Sequence, residues 1–309
     1  MRGFASFAIL LTGVAVIVGA CKQAASQNAG ADLHAAAAEP RATLEPATSP
    51  WPNEPSGFVP FSDQPWDRIV RPEASGRLGR LAVRARALLF SVPARDNDWR
   101  YLRRSSSKDD EIVIDPAAPS SPPDILRIVF TPDMQRDHEP SVHWIGLPRP
   151  TEIYTGWWMK LSANWTCSPA GCGKITFLFP DHANGVGVTY SNLAGVNGSH
   201  YVNVATTWPS TGYKFWDPNV TKTPVDDDQW YRVEWYVKWE SSPGSGDGII
   251  RWWVNGVLNG DYRNVPFPAI RGFVEFQHAP TRQDPPPAEQ YMYVDHTYIS
   301  TPVTQMRQP

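Results

Sequence analysis

The chain has 309 residues, a net charge of −3 and a pI near 6.2, and it carries no long basic tail. A nucleic-acid partner is therefore not expected, because attraction to phosphates needs an excess of Lys and Arg. The 14 Trp, 11 Tyr and 12 Phe accompany 31 Pro and 22 Gly, a mixture that favours many short strands joined by turns over a helical bundle. The length allows one large domain or two small ones.

Residues 1–21 have the form of a secretory signal peptide. Arg2 precedes an apolar run from Phe7 to Val18, which is short for a membrane span. The ending VGAC resembles the lipobox of bacterial lipoproteins, which implies lipidation of Cys21 and, with Lys22 after it, an outer-membrane anchor. A chance cysteine beside an ordinary signal peptide is the alternative. We expect the mature protein to be lipid-anchored in the bacterial cell envelope, with an exported domain.

Residues 22–56 are rich in Ala, Pro, Ser and Thr and nearly devoid of large apolar side chains. Such a segment cannot bury enough surface to order itself and is predicted to be a flexible tether. A folded domain is predicted over residues 57–303, followed by a tail at 304–309. Within that domain, residues 77–104 hold eight Arg, either as a solvated face or as a basic patch for an anionic polymer.

Nine segments after residue 124 alternate in polarity or are rich in β-branched and aromatic residues, with turn-forming clusters between them. This pattern, without an amphipathic helix between segments, indicates a β-sandwich or jelly roll. The segments are 125–130, 152–162, 174–180, 185–191, 200–208, 230–240, 248–260, 272–278 and 291–300.

Cys167 and Cys172 flank a Ser-Pro-Ala-Gly turn. In an oxidising compartment this pair predicts a disulfide that closes a small hairpin loop. A metal site would need further ligands, and neither a second cysteine pair nor a close His supplies them in the sequence. We expect no cofactor, although loop carboxylates could bind Ca²⁺.

Residues 230–260, WYRVEWYVKWESSPGSGDGIIRWWVNGVLNG, resemble a hairpin of concanavalin A-like jelly rolls, which include laminin-G-type modules and several polysaccharide lyases. YMYVDHTYIS at 291–300 is similar to the last strand of that fold, and NEPSGFVPFSD and YTGWWMKLS look like its lyase branch. The resemblance implies an all-β, concanavalin A-like jelly-roll β-sandwich of two antiparallel sheets. It specifies the fold better than the activity.

Alternation along this hairpin predicts one core face and one face that mixes charges with aromatic rings. Rings stack on the C–H faces of sugars while polar groups bind their hydroxyls, so the mixed face indicates sugar recognition. The predicted substrate-binding residues are Arg232, Glu234, Tyr236, Lys238, Trp253 and Glu275.

The sequence lacks the paired carboxylates that a retaining glycoside hydrolase of this fold carries on one strand. A lyase that acts on uronates needs instead a group that neutralises the carboxylate, a base and an acid. FQH at 276–278 resembles the Gln-hydrophobic-His signature of jelly-roll alginate lyases. Here Gln and His are adjacent, so regular alternation sends them to opposite faces unless a bulge intervenes. The predicted catalytic residues are Gln277, His278, Tyr291, Tyr293 and Arg251, with His143 and His182 as alternative bases.

Three hypotheses follow from the sequence. The first is a lyase that cleaves an acidic, uronate-containing polysaccharide by β-elimination, and the second is a non-catalytic glycan-binding or adhesion module. The third is a structural surface protein, since one fold hosts many functions. In each case we expect a monomer that meets the membrane only through its lipid anchor.

Overall fold

The computed structural model describes residues 51–67, 99–120, 123–168, 171–180, 188–196, 199–208, 212–267 and 272–305. The predicted signal peptide with Cys21 and the tether up to residue 50 lie outside the described residues. So do His182 and residues 77–98 of the arginine-rich segment.

Fifteen strands, numbered in chain order, account for the regular structure of the described residues. They are β1 (Phe58–Gln64), β2 (Arg100–Arg103), β3 (Glu111–Ile114), β4 (Asp124–Phe130), β5 (Ser141–Gly146), β6 (Glu152–Leu161), β7 (Gly173–Phe179), β8 (Val188–Val196), β9 (Ser199–Trp208), β10 (Gly212–Trp216), β11 (Tyr231–Lys238), β12 (Gly248–Val254), β13 (Val257–Val265), β14 (Glu275–Thr281) and β15 (Gln290–Pro302). In this part of the chain no helix is long and apolar enough to cross a membrane.

The strands form two sheets in which all neighbours pair antiparallel. Sheet A has the order β13-β12-β11-β6-β15-β4-β3, and β1 also pairs with β15; sheet B has the order β10-β9-β8-β7-β14-β5-β2. Consecutive strands often belong to different sheets, as β4 to β7 and β14 to β15 do. The predicted all-β jelly-roll sandwich is confirmed.

The core lies between the two sheets and is unusually rich in tryptophan. Trp157, Trp235 and Trp252 of sheet A are fully or almost fully buried, and Val233 and Val237 point into the same core from β11. Because side chains alternate across a strand, each strand that contributes to this core turns its other residues outward. Each sheet therefore has one inner, apolar face and one outer face.

The segment at 248–260, predicted as one strand, is a hairpin of β12 and β13. Asn255 and Gly256 join the two strands, and both have positive φ, 51° and 80°. A two-residue hairpin turn of this hand requires positive φ at both positions, which is why the Asn-Gly pair is suited to it.

The folded part of the chain begins before residue 57, where the tether was predicted to end. Trp51 is only 3% exposed and stacks on Tyr298 of the outer face of sheet A, with ring centroids 5.5 Å apart. It also lies over Gly156, where an added Cβ would come within 2.2 Å of the indole. The Tyr298 hydroxyl donates a hydrogen bond to Glu54 over 2.8 Å. This short segment is therefore packed against sheet A.

We predict that Trp51→Ala lowers the free energy of unfolding by about 3 kcal/mol, because it removes a buried indole that packs over Gly156 and stacks on Tyr298. Ile114→Ala is the control, since Ile114 is 71% exposed and its change should stay within about 0.5 kcal/mol. Urea unfolding of both variants measures the difference. Equal stabilities would contradict the inclusion of Trp51 in the folded domain.

Candidate functional site

The structure divides the sequence-predicted site residues among three places. Eight of them lie on the outer face of sheet A, namely Arg232, Glu234, Tyr236, Lys238, Arg251, Trp253, Tyr291 and Tyr293. Glu275 and Gln277 lie on the outer face of sheet B, and His278 lies between the sheets. The predicted residues therefore do not converge on one groove.

On sheet A, the carboxylate of Glu234 is enclosed by polar partners. It is fully buried, and it pairs with Arg232 over 2.8 Å and accepts the Tyr154 hydroxyl over 2.6 Å. The backbone and side-chain N–H groups of Asn53 also donate to it. Burial, together with this carboxylate, raises the pKa of Tyr154. The chain segment that begins at Trp51 thus covers a network that is satisfied internally.

The other charged residues of this face also have partners within the protein. Lys238 lies 3.4 Å from Glu152, and Arg251 lies 2.7 Å from Asp261. The charge of each is balanced by a neighbour of opposite sign. A ligand that bound them would have to compete with these carboxylates.

Tyr291 and Tyr293 form a separate group towards β4. The guanidinium of Arg127 lies 4.7 Å from the ring centroid of Tyr291, and the ammonium of Lys160 lies 5.0 Å from that of Tyr293. The Tyr291 hydroxyl donates to Glu289 over 2.5 Å, and this bond raises the pKa of Tyr291 to about 12. Tyr291 therefore retains its proton at neutral pH and does not fit the role of a base.

His278 is fully buried among aromatic rings, the closest of which is Phe276 at 5.2 Å. Its Nε2 lies 2.8 Å from Thr297 Oγ1, and burial lowers the pKa of the imidazole to about 3. The pairing of β14 is regular from Glu275 to His278, so no bulge returns His278 to the outer face. This position does not fit the catalytic role that the sequence predicted for it.

His143, the alternative base, has a similar location. It is 1% exposed and lies directly opposite His278 in the β5–β14 pair, with its Nε2 2.7 Å from Asp110. Both imidazoles belong to the interior of the sandwich. A polysaccharide on either outer face would not reach them.

The outer face of sheet B carries a continuous line of residues that face one another across all seven strands. Each member is directly opposite the next in the pairing register, and we call this line the cross-sheet row. From one edge to the other it consists of Arg100, Trp144, Gln277, Phe177, Tyr190, Ala205 and Phe215. It mixes aromatic rings with a guanidinium and an amide.

Lys174 lies beside the cross-sheet row. Its ammonium is 5.2 Å from the ring centroid of Tyr190 and 5.8 Å from that of Phe177. Burial lowers the pKa of Lys174, while Glu139 and Asp137 act in the opposite direction. Among the described residues no carboxylate forms an ion pair with it. A lysine in this state holds more neutral amine at a given pH than a solvated one.

Tyr190 and the edge strand β10 complete the surface. Tyr190 is 1% exposed, and its hydroxyl donates a hydrogen bond to that of Tyr213. Tyr213 and Phe215 are 47% and 46% exposed and contact each other edge to face with centroids 4.8 Å apart. The edge of sheet B therefore offers two aromatic rings to solvent beside buried polar groups.

Lys174 is not among the residues predicted from the sequence, because a bulge changes the face on which it lies. Lys174 has the same parity as Thr176 and Leu178, which point inward, so strict alternation would place it in the core. The β7–β8 register shifts between Lys174 and Thr176, which turns Ile175 inward and Lys174 outward. A charged residue at a position that strict alternation assigns to the core was the one sequence signal for that bulge.

No protein-family model matches the chain, and no curated protein matches its sequence. Among solved structures, it is similar to the endo-β-1,4-glucuronan lyase of the fungus Trichoderma reesei, with 15% identity over 65% of this chain and 90% of that chain and a TM-score of 0.46. It is also similar to the alginate lyase vAL-1 of a Chlorella virus, with 14% identity over 66% and 93% and a TM-score of 0.47. An Aly36B alginate lyase mutant in complex with an alginate trisaccharide has 14% identity over 57% and 80% and a TM-score of 0.45. We transfer no residue role from these structures to this chain.

We predict that His278 makes the fold sensitive to acid. Its pKa of about 3 in the folded state lies below the unfolded value of about 6.5, so the unfolded chain binds an additional proton between these values. The stability contributed by the neutral imidazole is complete above about pH 6.5 and is lost as the pH falls towards about 3.

Urea unfolding at pH 7 and pH 5 provides the measurement. The loss of stability between these pH values should be smaller in His278→Gln than in the wild type, by about 2 kcal/mol. His138→Gln is the control, because His138 is exposed and should leave the wild-type pH dependence unchanged. The same loss in His278→Gln and wild type would contradict a buried, neutral His278.

Proposed function

We propose that the protein binds an acidic polysaccharide along the cross-sheet row and cleaves it by β-elimination. The observation that carries this proposal is the position of Lys174, a partly buried lysine without an ion-pair partner among the described residues, beside a line of aromatic and polar side chains. With strands about 4.8 Å apart, the row is about 29 Å long. That length accommodates several sugar rings of an extended chain.

Each step of the elimination has a candidate group on this face. The guanidinium of Arg100 and the amide of Gln277 would hold the uronate carboxylate, because both donate hydrogen bonds to carboxylate oxygens. Neutral Lys174 would accept the C5 proton, whose bonding electrons form the C4=C5 double bond as the C4–O bond breaks. Tyr190 would protonate the departing oxygen, with solvent later restoring both groups.

Binding without cleavage is the second candidate function, and the exposed pair of Tyr213 and Phe215 favours it. Two rings that present half of their surface at a sheet edge suit stacking on sugar faces whether or not a bond is broken. This candidate uses the same surface. It differs only in that Lys174 would not act as a base.

The location of the protein is part of the proposal and is supported by the sequence alone. The apolar N-terminal run and the lipobox-like ending before Cys21 support export and lipid anchoring in the bacterial cell envelope, at the outer membrane. An anchored domain of this kind would meet polysaccharides outside the cytoplasm. We propose that it acts there as a monomer.

We predict that Lys174→Arg lowers kcat by at least about 100-fold on a polyuronate while affinity changes little. Arg keeps the positive charge but does not lose its proton near neutral pH, so it cannot serve as the base. The ultraviolet absorbance of the new C4=C5 bond, followed with alginate and glucuronan, measures cleavage, and isothermal titration measures binding.

Lys238→Arg is the matched control, because Lys238 lies on sheet A beside Glu152, and it should leave both quantities unchanged. Dextran is the control for substrate charge and should give no product. Undiminished turnover in Lys174→Arg would show that Lys174 is not the base. If the wild type formed no unsaturated product from any polyuronate, the lyase proposal would fail and only binding would remain.

We also predict that Phe215→Ala weakens binding of a polyuronate at least about five-fold, which corresponds to about 1 kcal/mol, because an exposed stacking ring is lost. Trp253→Ala is the matched control on the outer face of sheet A and should bind as the wild type does. Isothermal titration of both variants decides between the two faces. A loss of affinity in Trp253→Ala but not in Phe215→Ala would show that the polyuronate binds to sheet A.

A further inference from the structure

Two sulfur atoms before Lys174 and an imidazole of β9 form a cluster that the proposed function does not use. Cys167 and Cys172 form the predicted disulfide. The structure adds His200, whose Nδ1 lies 3.4 Å from Cys167 Sγ and 3.3 Å from Cys172 Sγ. The sequence provided no close histidine for a metal site, and strand pairing supplies one from β9, 28 residues beyond Cys172.

His200 is held in one orientation. It is 1% exposed, and its backbone pairs with Val225, accepting the Val225 N–H over 2.8 Å. Its Nε2 lies 3.1 Å from Asp227 Oδ1, so one ring nitrogen faces a carboxylate and the other faces the two sulfurs. Histidines that bind metals commonly have this arrangement, in which the carboxylate fixes the ring and leaves the second nitrogen for the cation.

We propose that the reduced form of the protein binds one Zn²⁺ through the thiolates of Cys167 and Cys172 and through His200 Nδ1, with Asp227 as the positioning residue. The three ligand atoms lie within 4.8 Å of one another. In tetrahedral zinc sites, bonds of about 2.3 Å to sulfur and about 2.0 Å to nitrogen place these atoms about 3.5 Å apart. The observed distances between nitrogen and sulfur, 3.3 and 3.4 Å, are close to this value.

Zinc binding and the disulfide exclude each other at this site. In the disulfide neither sulfur is a thiolate, whereas in a zinc site the two sulfurs would move about 3.8 Å apart around the cation. Cys172 is only 2% exposed, while Cys167 is half-buried. The fourth position of the zinc would therefore face the more open side, next to Cys167, and would be taken by water.

The exchange between the two states balances with a dithiol as reductant. The dithiol transfers two electrons and two protons to the disulfide, giving two cysteine thiols and the oxidised, disulfide form of the reductant. Zinc then replaces both thiol protons, which pass to solvent. The site is thus a metal site controlled by redox state, and it is independent of any action on polysaccharide.

Cobalt(II) is the probe, since it occupies zinc sites and its thiolate complexes absorb visible light. The full chain is reduced with excess dithiothreitol, freed of the reductant without oxygen and titrated with cobalt. We expect one equivalent to bind with sulfur-to-cobalt charge-transfer bands, and zinc to displace it. The unreduced protein should show no such bands. Absence of binding after reduction, or equal binding without it, would overturn the proposal.

Two variants test the histidine and its partner. His200→Ala should weaken cobalt binding by the reduced protein at least about 10-fold, and Asp227→Asn by about 10- to 100-fold. His138→Ala is the control at an exposed histidine and should bind as the wild type does. If His200→Ala binds as tightly as wild type, the two thiols alone chelate the ion and the assigned site is wrong. The comparison of reduced and unreduced wild type does not depend on how well a variant folds.

Discussion

The packing of sheet A against sheet B over a tryptophan-rich core is the constraint on which the remaining structure depends. Trp157, Trp235 and Trp252 fill the space between the sheets, and strand alternation then fixes which residues face inward. A polar side chain that is to contact a polysaccharide must lie on one of the two outer faces. The same constraint places His278 and His143 in the interior, and burial there lowers the pKa of His278.

The two outer faces satisfy their polar groups in different ways. On sheet A, the Glu234 carboxylate binds Arg232 and Tyr154 beneath the segment that begins at Trp51. Removal of a partner from such a buried network is costly, so these contacts stabilise the fold and leave little for a ligand. On sheet B, Lys174 lies beside aromatic rings without an ion pair to a described carboxylate, and burial lowers its pKa. A uronate carboxylate bound there would supply a countercharge for protonated Lys174.

The sequence was sufficient for features that depend on local pattern and insufficient for those that depend on register between distant strands. The alternation of β11, the Cys167–Cys172 disulfide and nine strand segments were predicted because each is encoded within a few residues. The nine segments correspond to ten strands, since 248–260 is the hairpin of β12 and β13. The predicted segments did not include β1, β2, β3, β5 and β10. Three of these, β2, β3 and β10, have only four or five residues, which carry too weak a pattern. The predicted catalytic residues lie on different sheets because β14 and β15, although consecutive in the chain, belong to different sheets. The outward orientation of Lys174 depends on a bulge that the sequence pattern alone does not reveal.

A crystal structure of the Lys174→Arg variant with a bound oligouronate would test the central claim most directly, because it identifies the face that the ligand occupies. We expect sugar rings along the cross-sheet row, with a carboxylate at Gln277 or Arg100 and a ring stacked near Phe215. An oligouronate bound instead over Trp253 and Arg251 on sheet A would contradict this claim.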